Sequence, residues 1–109
     1  MTVRARPGAP AVTAVEFSIP ADHPALPGHF PGTPVVPGAL LLAEGLQRLE
    51  AALGEAAWSR IESAKFLRPV AGGVAVTAEL TVTRRRQARV TFSAGGECVA
   101  EVSLIAEPP

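Results

Sequence analysis

Six prolines fall between Pro20 and Pro37, joined there by Gly28 and Gly32. Each proline fixes its own φ, removes a backbone donor and biases the preceding residue away from the helical region. No regular element can run through this stretch. It is not low-complexity filler either, because His23, His29, Phe30 and two valines are interleaved among the prolines. The segment therefore reads as an ordered loop with extended pieces, and it divides the chain into two unequal parts.

Ahead of the loop, residues 1–11 are rich in Pro, Ala and Gly without periodicity, which predicts a flexible tail. Residues 12–19 alternate Val12, Ala14 and Phe17 with Thr13, Glu16 and Ser18, which suggests a first strand. Behind the loop, Pro37-Gly38 introduces one helix, Ala39 to Leu53. Leu42, Leu46, Leu49 and Leu53 form its apolar stripe, and Gly54 is the stop signal. Leu40 and Leu41 lie off the stripe, so the start of this helix is expected to be buried on every side. Glu44 and Arg48 stand one turn apart as a supportive pair on another face.

The remainder reads as strands: residues 59–67, the alternation Val74, Val76, Ala78, Leu80, Val82, and then 88–94 and 97–105. Turns fall at Ala71-Gly72-Gly73 and Ala94-Gly95-Gly96. One helix followed by neighbouring strands predicts an α+β fold, a single domain over residues 12–106 in which the helix covers one face of an antiparallel sheet.

Composition excludes several classes. Ten basic residues balance ten acidic ones. That leaves no basic surplus for general nucleic-acid binding. A hydrophobic share of 48% is too high for a disordered chain. The single cysteine, Cys98, cannot form an intramolecular disulfide and reads as a small buried residue. The N-terminal sequence lacks the apolar stretch of a secretory signal, and no run approaches the ~20 residues of a membrane span. A cytoplasmic protein is expected. Metal is not expected, because one cysteine and two separated histidines do not make a ligand set. No Gly-x-Ser-x-Gly elbow and no phosphate-binding glycine loop is present.

Chemistry concentrates in the loop. His29 precedes Gly38 by nine residues. A helix start carries unpaired N–H groups and the positive end of the dipole, which can stabilise an oxyanion. A neutral imidazole can take a proton near pH 7. A base beside an oxyanion site is what proton removal next to a thioester carbonyl requires.

The literal residues extend that reading. Gly28-His29-Phe30-Pro31-Gly32-Thr33-Pro34-Val35-Val36-Pro37-Gly38 closely resembles the H-F-P-x-x-P-x-x-P-G signature of bacterial 3-hydroxyacyl-acyl-carrier-protein dehydratases. Lys65-Phe66-Leu67-Arg68-Pro69-Val70 resembles the K-F-x-R-P-V segment of the same family. The compact length and His23-Pro24-Ala25-Leu26 look like the dehydratase-like proteins of aryl-polyene clusters. The resemblance implies a hot-dog fold, one central helix wrapped by a bent antiparallel sheet of about five to six strands. It implies dehydration of a 3-hydroxyacyl thioester to the trans-2-enoyl product, with His29 as the base and Gly38 as the backbone oxyanion donor. It also implies substrate or carrier contacts from Phe30 and Arg68. No cofactor is implied beyond the phosphopantetheine of the acyl carrier protein that delivers the substrate. Family sites lie between subunits, so a homodimer or a multiple of one is expected.

The family's acid, a Glu or Asp fourteen residues after the histidine, is replaced by Ala43, with Glu44 immediately after it. One helical step turns a side chain by about 100°. Gln47 keeps the family's register. Three readings stay open. Glu44 could serve as the acid through local distortion; Asp22, Glu50 or a water could replace it; or the chain could be a thioester-binding or partner subunit of a heterodimer. A hot-dog thioesterase is a further alternative. Arg84, Arg85 and Arg86, with Arg89, read either as a solvated hairpin or as a docking patch for the acidic carrier protein. Trp58 reads as a packing anchor.

Overall fold

A computed structural model describes residues 2–4, 12–24, 26, 35–53, 60–84 and 87–105. Its elements in chain order are β1 (Thr2–Arg4), β2 (Val12–Phe17), α1 (Gly38–Leu53), β3 (Arg60–Phe66), β4 (Val76–Arg84), β5 (Gln87–Ala94) and β6 (Glu97–Ile105). The strands form one antiparallel six-stranded sheet in the order β1-β2-β4-β5-β6-β3, and α1 packs against it. This is the one-helix, antiparallel α+β arrangement expected of a hot-dog domain.

Alternation explains the sheet. Thr13, Val15 and Phe17 of β2, Val76, Ala78 and Leu80 of β4, Val90 and Phe92 of β5, and Ala100, Val102 and Leu104 of β6 are buried. Their polar neighbours, such as Glu16 and Glu79, face out. Full burial of an apolar side chain of this size contributes about 1.5–3 kcal/mol, so this face and the helix pressed on it hold the domain together. The β4–β6 meander turns through Gly95 and Gly96 at φ 60° and 82°, a left-handed pair that matches the twist of a two-residue hairpin.

Helix α1 contains no β-branched residue and follows Pro37, whose carbonyl accepts the Leu40 and Leu41 N–H groups at 3.0 Å each. Its buried residues are Leu41, Gly45, Leu46 and Leu49. The stripe expected from the leucines is thus rotated: Leu42 and Leu53 are only half-buried, and Leu41 and Gly45 take the inner face. The reason is Phe92. Its fully buried ring lies against the helix where Gly45 has no side chain, so a Cβ there would overlap Cε2 and Cζ of Phe92. Phe17 meets the same ring edge-on, with centroids 6.4 Å apart and planes at 85°. The helix start is not buried on every side in this chain, since Ala39 and Ala43 are exposed and Leu40 is half-buried.

Two further expectations need adjusting. Within the segment read as a flexible tail, Thr2–Arg4 pairs with β2 in the register Thr2↔Ala14, Val3↔Thr13, Arg4↔Val12. The open edge of β2 offers backbone partners that a composition argument does not see. The alternation from Val74 to Val82 is buried only in its middle, because Val74 and Val82 at its ends are exposed. Trp58 and Gly54 lie outside the described residues. No helix among the described residues is long and apolar enough to cross a membrane.

Candidate active site

One irregularity in β6 organises the site. The β5–β6 register shifts between Phe92↔Ala100 and Ser93↔Cys98, which leaves Val99 as the extra residue. A bulge re-aims a backbone group. Here the Val99 carbonyl accepts two N–H groups, Leu67 at 2.9 Å and Arg68 at 3.3 Å, which fixes the turn after β3. Val99 itself is buried beside Ala100.

Three residues further on, the Val70 carbonyl accepts the Val36 N–H at 2.7 Å, and Val35 bridges Ala71. The end of the proline loop is therefore bonded to the Arg68-Pro69-Val70 segment. Gly72 closes the other side, where a Cβ would stand 2.7 Å from Ala21 Cα and 2.9 Å from Leu26 Cδ1. The two sequence motifs meet through backbone hydrogen bonds, and the first turn of α1 is held against the second motif.

Between them lies a cavity of about 460 Å³, with Gly38 and Ala39 of the helix start on one side and Phe66 to Val70 on the other. Its deep side is apolar and fixed, since Val36, Leu41 and Val70 belong to the buried core. Phe66 lies over Gly38, where an ideal Cβ would be 2.8 Å from Phe66 Cε1. The first turn carries no acidic residue, so no side chain of the turn offsets the positive end of the helix. Among the described residues, the Gly38 and Ala39 N–H groups have no backbone acceptor, as expected of a helix start. The arrangement can bind an apolar acyl group beside donors suited to a carbonyl or oxyanion.

Gly38 and Arg68 come together at this cavity. Arg68 also pairs with Glu97 at 3.1 Å, on a surface where both side chains are largely exposed. Glu44 does not line the cavity. Its carboxylate lies 3.5 Å from Arg48, whose guanidinium stacks over the Phe17 ring at 5.5 Å from the centroid. Glu50 is half-buried and Asp22 exposed, and neither lines the cavity. His29, Phe30, Arg85 and Arg86 lie outside the described residues, and of Arg84 only the backbone is described, at the end of β4. Phe66, Leu41, Val36 and Val70 were not singled out from the sequence as site residues. Val36 lies inside the first motif and Phe66 and Val70 inside the second, which is the signal the sequence offers.

Comparison with known proteins decides the family. The model of the ApeI-like family, described as ApeI dehydratase, matches residues 8–104. The chain belongs to that family. The 3-hydroxyacyl-[acyl-carrier-protein] dehydratase FabZ of Chloroflexus aggregans is 34% identical, over 92% of this chain and 80% of its own length. The corresponding FabZ of Haemophilus influenzae (strain 86-028NP) is 32% identical, over 81% of this chain and 68% of its own. Among solved structures, an uncharacterized protein from Erwinia carotovora subsp. atroseptica superposes with a TM-score of 0.74 at 19% identity, covering 99% of this chain and 91% of that one. The dehydratase heterocomplex ApeI:P from Xenorhabdus doucetiae gives 0.67 at 16% identity, covering 96% and 93%. These two likenesses concern the fold. This member of the ApeI-like family thus carries the second motif and Gly38 around one apolar cavity.

Proposed function

We propose that this chain dehydrates a 3-hydroxyacyl thioester, presented on the phosphopantetheine of an acyl carrier protein, to the trans-2-enoyl thioester in cytoplasmic fatty-acid or polyene/polyketide biosynthesis. The observation that carries this reading is Gly38 at the helix start, bordering an apolar cavity built from the second family motif. The thioester oxygen accepts from the Gly38 N–H, which lowers the cost of negative charge on that oxygen. His29 takes a proton from C2. The C2 electron pair forms the C2–C3 double bond as the C3 hydroxyl takes a proton from a water in the site and departs as water. The Arg68–Glu97 pair is exposed. Such pairs contribute only ~0–1 kcal/mol, so Arg68 can exchange Glu97 for a carrier phosphate. Phe30 and the Arg84-Arg85-Arg86 run add substrate and carrier contacts.

A second reading is favoured by Ala43 together with the engagement of Glu44 by Arg48. In it the chain holds the thioester while a related subunit supplies the acid, as one half of a heterodimer. The ApeI:P heterocomplex is a precedent for heteromeric assembly on this fold. Edge strand β3, exposed along its whole length, offers the surface for either a second copy or a related chain.

The test is turnover of a 3-hydroxyacyl-carrier-protein by the purified chain, beside His29→Ala. A loss of about 10²–10⁴-fold in the variant is expected of a missing general base. Activity appearing only when a second hot-dog chain is added supports the heteromeric reading. Turnover unaffected by His29→Ala rejects His29 as the base.

A further inference from the structure

We propose that Phe66 is the specificity-determining residue of this cavity, and that its ring sets the largest substituent a bound thioester can carry at C2. The proposal rests on the thioester-binding reading of the Gly38 site. Phe66 ends β3 and is 50% exposed, whereas Val36, Leu41 and Val70 across the cavity are 3–5% exposed and locked in the core. The backbone after it is fixed, because Leu67 and Arg68 both donate to the Val99 carbonyl. Of the exposed lining side chains, Phe66 is the one that stands over Gly38, so it is the adjustable wall at the donor end of the cavity.

Its position makes that wall selective. Phe66 Cε1, Cζ and Cδ1 stand 2.8, 2.9 and 3.1 Å from where a Gly38 Cβ would be. The ring is therefore packed against the Gly38 Cα, ~1.5 Å from the nitrogen that donates. A carbonyl oxygen bonded to that nitrogen lies ~2.9 Å from it, and an acyl chain that runs from there into the cavity carries C2 past the ring that walls it. A C2 methylene fits; a C2 methyl branch meets the ring edge.

Binding of two non-reacting probes reads this without requiring turnover: the amide analogues of a straight-chain 3-hydroxyacyl-pantetheine and of its 2-methyl counterpart. The wild type is expected to bind the straight analogue at least about tenfold more tightly, the scale of one misplaced methyl in an apolar pocket. Phe66→Ala should bring the ratio to within about threefold, with Phe66→Leu between the two. Thermal unfolding and size exclusion establish that each variant keeps its fold and assembly, and Phe66→Leu serves if Phe66→Ala does not fold. A purely structural role would weaken both analogues equally, and such an unchanged ratio overturns the proposal while leaving the site reading intact. Binding of neither analogue by the wild type overturns the site reading, and this proposal with it.

Discussion

The Val36 N–H donates to the Val70 carbonyl at 2.7 Å, and this bond joins the proline loop to the segment that walls the cavity. Both residues are buried, so neither group can turn to water if the other is lost. An unsatisfied buried acceptor costs about 1–3 kcal/mol. Val36→Pro removes the donor and should destabilise the fold by about that much more than Val36→Ala, which removes only side-chain volume. Denaturant midpoints of the two variants give the difference. Equal midpoints would mean that the bond does not join the two motifs energetically.

Gly45→Ala is expected to destabilise the protein even though alanine is the better helix former. The propensity gain is about 1 kcal/mol. Against it stands a Cβ overlapping the fully buried ring of Phe92, itself packed on Phe17. Overpacking of this kind costs typically 1–3 kcal/mol. A net loss measured by urea unfolding is predicted, and a gain in stability would sink the close-packing account of the rotated helix face.

Much of this architecture was legible in the residues. Alternation located β4, β5 and β6, and leucine spacing located α1, because both depend on local periods. The rotation of the helix face was not, since it follows from Phe92 meeting Gly45 across 47 positions of sequence. Gly38 was legible by motif. Phe66 stands within a motif, but the Val99 bulge that fixes the turn after it is a register property, invisible to any window of residues. The strand Thr2–Arg4 was missed because three residues carry too little pattern to be read alone.

Glu44 is expected to act through Arg48 and not through the substrate. Their separation of 3.5 Å at helical spacing, with side chains 28% and 48% exposed, describes a surface pair. Such pairs contribute roughly 0.3–0.5 kcal/mol. Glu44→Ala should therefore lower stability by no more than about that, with turnover within about twofold of wild type. A drop of a hundredfold or more would make Glu44 the acid after all.

Edge strand β3 should mediate association. Every residue from Arg60 to Phe66 is exposed, Ile61 among them at 44%, and one edge of β3 has no strand neighbour among the described residues. An open edge carrying apolar side chains invites pairing with another chain. Ile61→Lys is predicted to shift a dimer toward monomer in sedimentation velocity at matched concentration, with circular dichroism unchanged. An unaltered sedimentation coefficient would move the interface elsewhere.

Ala43→Glu is the most informative single change. The motif resemblance implies that Ala43 stands at the family's acid position, and Ala43 is exposed, so a longer side chain meets no packing obstacle from its own fold. Its helix neighbours Ala39 and Gln47, four residues to either side, are exposed too, which keeps the new carboxyl on an unobstructed face. If dehydration by the chain alone is limited by a missing acid, restoring one should raise kcat by about 10²–10⁴-fold with little effect on KM, because the acid acts on the departing hydroxyl and not on binding. Single-turnover measurement on a 3-hydroxyacyl-carrier-protein separates the chemical step from carrier release. No gain in Ala43→Glu, from a wild type already active alone, would show that the proton for the departing hydroxyl comes from another group, with Asp22, Glu50 and an ordered water left to distinguish.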